Sequence, residues 1–519
     1  MIHPSSPSPR FRLQAKDLWW LIAVLACILI SRLLLMESSP SSWDAASFFC
    51  AATDFNIAED RPHLPGYFLH VLLIRFFRFF LHPYSANVAP SLLWSALCAI
   101  PLFALVRRSL SLRSSLMFVT FVLTNPMLWF YGCVSEIYAF DAFFSVVIVL
   151  LSLSPRTTTA LFITMALGAG VRQSSAALML PLVVWRVMYH YRSGTLRPLS
   201  LLYSVLLGAG SLALWTVPFL LSCGGIAGYI SLYSTHPPGA VVSPLSNIVS
   251  MVQHGVYALL IPCALLLWQG RVHKREKHEG AKQTTASVNY ITPILTSTEL
   301  MLWLVPALVM FLFTTYTKGY FLIITAVPTI ALLRYREDVV ARMFMVGIIL
   351  QTLMFVGTPH TMPGMDLVMA PHHGVSKWRK ALERTTSVFS MTRARLLHER
   401  EYIEQTHELL KLTQSPSVFV DPAYPLTARS LQTVDPHREL CMQYTYEANS
   451  VLVHKGISQY REQGIEQRLR RSVILTTTEV CAAQPLLHML AVSNGLVVAR
   501  VDSVSASMVA RWYDTMYAR

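Results

Sequence analysis

Charge is scarce in this chain. Asp, Glu, Lys and Arg make up 13% of its 519 residues, about half the share usual in soluble globular domains. Mean hydropathy is +0.47. A soluble enzyme is therefore excluded for most of the chain, and a polytopic membrane protein fits. Acids are the scarcer sign, 28 against 42 Lys and Arg, for a net charge of +14. Lys and Arg accumulate in the cytoplasmic loops of membrane proteins, so no nucleic-acid partner is expected. The eight cysteines lack the paired spacing of a zinc site, and no P-loop occurs. Cys441 and Cys481 share the C-terminal part, as a disulfide or as two free thiols. No strict internal repeat is visible.

Long apolar runs recur from Leu18 to Val356 and are missing after it. A bilayer crossing needs about 20 apolar residues. The expected architecture is an α-helical polytopic membrane body over 1–356 and a C-terminal α/β soluble domain over 357–519. In the latter, SVFV, SVILTTT and GLVVARV read as strands. Lys377 to Leu412 and Gly456 to Arg471 read as helices.

Charge parity orders the spans. Arg10, Arg12 and Lys16 precede the first run, Leu18 to Met36, which is too long for a signal peptide and reads as an uncleaved span. The N-terminus is then cytoplasmic and the loop over 37–67 lies outside. Phe68 to Leu81, with Arg75 and Arg78 among Leu, Ile and Phe, reads as a juxtamembrane helix lying along the surface. The second span, Pro90 to Val106, ends at Arg107, Arg108 and Arg113. Leu116 to Leu153 has basic flanks on both sides, so it crosses twice with an outer turn near Gly132 to Glu136. The same reasoning puts a turn or helix break at Val171 to Ser175, and another outer turn at Lys318 and Gly319. Spans at Leu199 to Leu221, Ile248 to Trp268 and Val339 to Val356 complete a count of about eleven. That odd count places the C-terminal domain outside as well.

A dense polar stretch follows the first span, Trp43 to Tyr67, WDAASFFCAATDFNIAEDRPHLPGY. It carries Asp44, Asp54, Glu59 and Asp60, followed by Arg61 and His63. Parity puts Glu136, Arg172, His236 and Lys318 on the same face. A carboxylate can take a proton from an attacking hydroxyl or amine. Cations can hold a phosphate and stabilise it as it leaves. Local alternatives exist for each residue. Asp44 and Glu136 could cap helices, Asp54 to Asp60 could solvate a loop, and Arg61 could be a surface counterion. His63 could brace its turn, Arg172 and Lys318 could snorkel to headgroups, and His236 sits in a His-Pro-Pro-Gly turn.

Several stretches resemble the GT-C superfamily of polyprenyl-phosphate-sugar glycosyltransferases. The likeness is to bacterial members related to glycosyltransferase family 39, which includes protein O-mannosyltransferases and aminoarabinose transferases. The matching elements are Asp44 soon after the first span, DFNIAEDRPHLPGY and the amphipathic helix after it. Further matches are SEIYAFD from Ser135, GVRQS from Gly170 and KGYFLIITAVP from Lys318. His63-Leu64-Pro65-Gly66 departs mildly from the His-Pro-Pro-Gly often found there. The resemblance covers most of the membrane body and says little beyond Gly357.

It implies a GT-C-like fold in a bacterial inner membrane and an inverting transfer at the outer face. The donor would be a polyprenyl-phosphate-linked sugar, and the acceptor a lipid, a glycan or a protein. Asp44 would be the base, assisted by Asp54, Glu59 or Asp60. Arg61, His63, Glu136, Arg172, His236 and Lys318 would contact lipid phosphate or substrate. No cofactor would be required, although some GT-C enzymes use a divalent cation. The competing readings are a transporter or lipid flippase with an outward-facing polar cavity, and a membrane scaffold presenting the C-terminal domain.

Overall fold

The computed structural model describes residues 15–235, 244–279, 294–313, 318–358 and 391–413. In the C-terminal part it also describes 415, 417–420, 430–431, 433, 439–442, 469–470, 472–502 and 504–517. His236, the side chain of Lys318, residues 377–390 of the helix expected at Lys377–Leu412 and most of the helix expected at Gly456–Arg471 lie outside the described residues.

The body is helical. Its first elements are α1 (Ala15–Leu33), α2 (Trp43–Thr53), α3 (Phe68–Arg78), α4 (Pro83–Leu97) and α5 (Ala99–Val106). Next come α6 (Leu112–Leu123), α7 (Pro126–Tyr131), α8 (Ala139–Ser152), α9 (Thr158–Val171) and α10 (Gln173–Arg192). Then follow α11 (Pro198–Ser222), α12 (Gly225–Thr235), α13 (Pro244–Glu279), α14 (Ser297–Phe313), α15 (Ala326–Leu332) and α16 (Glu337–Gly357). Among the described residues, Pro83–Val106, Pro198–Ser222 and Glu337–Gly357 are long and apolar enough to cross a membrane. Shorter apolar helices, such as Leu112–Leu123 and Ala139–Ser152, pack beside them. Leu199, Leu206, Leu214 and Leu221 of α11 are exposed. In a membrane protein such a row faces lipid.

The turn expected near Gly132 to Glu136 separates α7 from α8. The break expected at Val171 to Ser175 narrows to one residue. Arg172 takes an extended backbone, φ −153°, ψ 109°, between α9 and α10. At the far end of α1, Asp17 pairs with Arg107 at 3.4 Å. Sixteen residues at ~1.5 Å each put Asp17 ~24 Å from Leu33. Arg186 pairs with Glu299 at 2.8 Å. These basic flanks are therefore held by acids rather than left to solvent.

Phe68–Arg78 is a helix, as its pattern implies, and its two arginines have internal partners. Arg75 donates to the Ala51 and Ala52 carbonyls, and Arg78 to the Phe49 carbonyl and the Thr53 hydroxyl. They satisfy carbonyls in the last turn of α2, where a helix favours cations.

The C-terminal domain has five strands: β1 (Ser417–Val420), β2 (Glu439–Met442), β3 (Val473–Thr477), β4 (Leu487–Ser493) and β5 (Leu496–Val501). Their order is β2-β1-β3-β5-β4. β1 runs parallel to β2 and β3, while β5 runs antiparallel to β3 and β4. The helices are α17 (Arg393–Lys411), α18 (Thr478–Ala483) and α19 (Ala506–Tyr517). Side chains of β1, β3 and β5 serve two cores. Phe419, Ile474, Val497 and Ala499 meet α19 through Val509 and Ala510. Val418, Val420, Leu475 and Val498 meet α17 through Ile403, Leu409 and Leu410. Cys481 is a buried free thiol in the first of these cores. The start of α17 packs against the membrane body: Leu396, with the preceding Met391, is part of its core.

Close packing of α8 on α9 depends on Gly168, where a Cβ would overlap the Phe144 ring. Gly168→Val is expected to cost about 1–3 kcal/mol. Gly210→Ala, at a helical position with open space around it, is expected to leave stability unchanged or slightly raised. Thermal unfolding of the two purified variants in detergent checks this. Equal melting temperatures would show that the contact carries no weight.

Candidate active site

The site is built at the start of α2. Ser42 caps that helix by accepting from the Ala45 N–H at 3.2 Å. Asp44 lies one residue inside and is relieved of the capping role. Its side chain is 33% exposed, and Oδ1 is 3.7 Å from His63 Nδ1. His63 is held in place by its own backbone N–H, which donates to Ser47 Oγ at 3.0 Å. Its ring packs against Phe48 and Tyr67, with centroids 5.3 and 4.9 Å away.

The loop that carries His63 folds back through Asp60. That residue is fully buried in a left-handed backbone conformation, φ 60°. Its carboxylate accepts from Trp43 Nε1 at 2.6 Å, and its carbonyl from Ser47 Oγ at 2.8 Å. Asp60 thus pins the loop to α2. Gly66 closes the turn at φ +111°, where a Cβ would overlap Phe219 of α11. Asp54 and Glu59 both face Arg61, at 3.0 and 3.5 Å. This partly exposed ion triad lies at the turn that pairs Asn56 with Arg61.

On the other side of Asp44 stands Glu136, in the turn before α8. It does not cap that helix, whose N-cap is Tyr138. Its carbonyl accepts from Ser91 Oγ at 2.5 Å. Burial, and then the nearby Asp44 carboxylate, push the Glu136 carboxyl up to about 7, and a hydrogen bond with Ser42 opposes the shift. Glu37 is buried beneath, its carboxylate held by the N–H and hydroxyl of Ser135. Burial raises it to about 8.

Arg172 forms the floor. It is 2% exposed and bonds Asp141 at 2.5 Å, while Ser175 Oγ donates to the other Asp141 oxygen. Its guanidinium lies 4.5 Å from the Tyr138 ring centroid and 4.3 Å from that of Tyr320. Tyr320 belongs to a 3-10 turn, Lys318–Ile323. Lys318 thus begins the turn that presents Tyr320 to the site.

The fold therefore brings Asp44, His63, Glu136 and Arg172 together. Asp54, Glu59 and Arg61 sit apart as one local cluster, and Asp60 faces inward. Sequence reasoning missed Asp141, Glu37 and the tyrosines Tyr67, Tyr138 and Tyr320. Asp141 could have been found, because a lone acid in an apolar helix and a lone arginine in another call for each other. Among the described residues no group of three or more His, Cys, Asp or Glu could hold a metal ion.

Two solved structures match the chain along nearly its whole length. One is ArnT from Cupriavidus metallidurans bound to undecaprenyl phosphate, at 13% identity and TM-score 0.57, covering 94% of this chain and 99% of that one. The other is the same protein in the apo state, at 13% identity and TM-score 0.53 with the same coverage. This chain has the GT-C fold. At that identity the likeness is one of architecture. No protein-family model and no curated protein matches the chain.

Two predictions follow from these contacts. Asp141→Asn leaves Arg172 buried without a counter-charge, expected to cost about 3–5 kcal/mol. Adding Arg172→Gln should recover part of that loss, read as melting temperature. A double variant no better than Asp141→Asn alone would show the two residues to be independent.

The second concerns pH. Glu37 and Glu136 bind protons more tightly folded than at the ordinary value of 4.5. Their contribution to stability is therefore full below about 4.5 and is lost as pH rises through 7 to 8. The melting temperature is expected to fall across that window and to fall less in Glu37→Gln. An identical pH slope in that variant would remove Glu37 from the account.

Proposed function

We propose that the chain transfers a sugar from a polyprenyl-phosphate-linked donor to an acceptor hydroxyl or amine, with inversion and with Asp44 as the base. The observation that carries this reading is the freedom of Asp44. It lies in the first turn of α2, where the helix dipole favours an anion, yet Ser42 does the capping and Asp44 stays part-exposed beside His63. The full-length likeness to a protein solved with undecaprenyl phosphate supports the donor class.

In this mechanism the acceptor oxygen or nitrogen attacks the anomeric carbon. The carbon–oxygen bond to phosphate breaks, and its electron pair leaves with the polyprenyl phosphate. Asp44 takes the proton of the attacking group. Glu136, rather than Asp54, Glu59 or Asp60, is the assisting acid, because it shares the space around Asp44. His63 faces the leaving phosphate, and Lys318 is proposed as a second cation for it. Arg172, matched by Asp141, acts by fixing Tyr138 and Tyr320. The reaction needs no cofactor in this scheme. The site lies at the outer face of a bacterial inner membrane, with the N-terminus in the cytoplasm. Basic residues such as Arg107 and Arg186 mark the cytoplasmic end.

The test is transfer from polyprenyl-phosphate sugars in membranes. Asp44→Asn is expected to lower turnover by ~10²–10⁴-fold at an unchanged melting temperature. Asp54→Asn, in the outlying ion triad, is expected to leave turnover close to wild type. A folded, fully active Asp44→Asn protein would remove Asp44 from the chemistry. Movement of the lipid across the bilayer with no sugar transferred would favour a flippase.

A further inference from the structure

The third wall of the site comes from the C-terminal domain. Arg395 lies in the first turn of α17. Its Nε donates to Glu399 Oε1 at 2.6 Å, and its guanidinium sits 5.1 Å from the ring centroid of Phe130, at the end of α7. Arg395 and Glu399 both act electrostatically on Glu136, and Arg395 on Tyr131 as well. Three further contacts seat the helix and the segment after it on the loop that precedes α2, and a fourth ties that segment to α4. Ser41 Oγ donates to Glu399 Oε2 at 3.1 Å and contacts Glu37 at 3.4 Å. Arg400 donates to the Met36 carbonyl at 2.6 Å. Ser430 Oγ donates to the Ser41 carbonyl at 3.1 Å, and Tyr84 to the Thr433 carbonyl at 2.8 Å.

The loop over 36–42 is thus shared. Ser41 binds the C-terminal helix, and the adjacent Ser42 binds α2 and Glu136. A guanidinium beside two carboxylates offsets their mutual repulsion, and one fastened to Glu399 does so from a fixed position.

We propose that Arg395 is a positioning residue that holds the Glu136 carboxyl beside Asp44, so that the C-terminal domain completes the site. Its catalytic meaning rests on the transferase reading; the electrostatic contact does not. The charged and titratable groups facing Glu136 are Asp44 from α2, Glu37 from the loop before it, Tyr131 and Tyr138 from either side of the turn, and Arg395 and Glu399 from α17. Of these, Arg395 is the cation. Removing it disfavours the carboxylate form of Glu136, and removing Glu399 favours it.

The experiment is an infrared titration of the full-length protein in detergent. The spectrum of Glu136→Gln, subtracted from each parent, isolates the protonated-carboxyl band of that residue. Arg395→Met is expected to move its midpoint upward by about one pH unit, and Arg395→Lys to restore it. Glu399→Gln is expected to move it downward, and it keeps the test open if Arg395→Met does not fold. An unmoved midpoint in the folded Arg395→Met protein, or in Glu399→Gln if that variant alone folds, overturns the proposal.

The pH profile of kcat/KM for sugar transfer is expected to move with the band, with KM for the donor little changed. A moving band in a wild-type protein that transfers no sugar would leave the Arg395 contact standing and defeat the transferase reading. Transfer with an unmoved band would do the reverse.

Discussion

A charge placed among membrane helices needs its opposite within reach, and the pair of Arg172 and Asp141 is where this constraint does most. An unpaired arginine in the centre of a helix costs at least ~2.5–3.5 kcal/mol on insertion scales. Here the chain meets that cost locally. The α9–α10 boundary opens at Arg172, and α8 brings Asp141 against it. Once the pair forms, Arg172 becomes a fixed plane between two aromatic rings, Tyr138 and Tyr320. Those rings come from separate elements, the N-cap of α8 and the turn that begins at Lys318. One ion pair therefore ties three parts of the chain into the floor beneath Asp44.

A second tie is made of small hydroxyls. In MESSPSS, Met36 to Ser42, Ser39 meets Thr433, Ser41 meets Glu399, and Ser42 meets both Ala45 and Glu136. Each hydroxyl can donate once and still accept. Serine is suited to a junction where carboxylates, carbonyls and helix N–H groups crowd together. The same seven residues end the first span, start the site helix and receive the C-terminal domain. Domain docking and the orientation of Asp44 are consequently one structural problem rather than two.

Much of this fold was legible because membranes make sequence rules strict. Apolar length and basic flanks located the turn before α8 and the break at Arg172, and short runs rich in β-branched residues found β1, β3 and β5. Strand β4 was harder to see, because Met489, Leu490 and Val492 are exposed and apolar there, so the alternation is lost. In the site, parity put Asp44, His63, Glu136 and Arg172 on one face, together with Asp54, Glu59, Asp60, Arg61, His236 and Lys318. What parity cannot give is which acids are already engaged. Asp54 and Glu59 are engaged by Arg61 within one short turn, and Asp60 turns inward because its backbone is left-handed. Arg395 was invisible for a different reason. It sits 259 residues from Glu136, in a polar amphipathic helix where an arginine carries no signal of its own.

These engagements change what the polar island beside the first span can do. Four acids in twenty-five residues suggested a wall of carboxylates. Two of the four neutralise one arginine, and a third holds the loop shut, which leaves Asp44 as the acid of that stretch turned toward the cluster. Its partner comes from another turn. Burial, and then the neighbouring Asp44, make Glu136 give up its proton reluctantly. A pair in which one carboxylate is charged and the other retains a proton can accept from one group while donating to another, which two equally exposed acids cannot. The division of labour arises from burial. Glu136 is enclosed by Glu37 and the C-terminal helix, and Asp44 stays part-exposed beside His63. A site with that asymmetry has a direction, from part-exposed Asp44 beside His63 to Glu136.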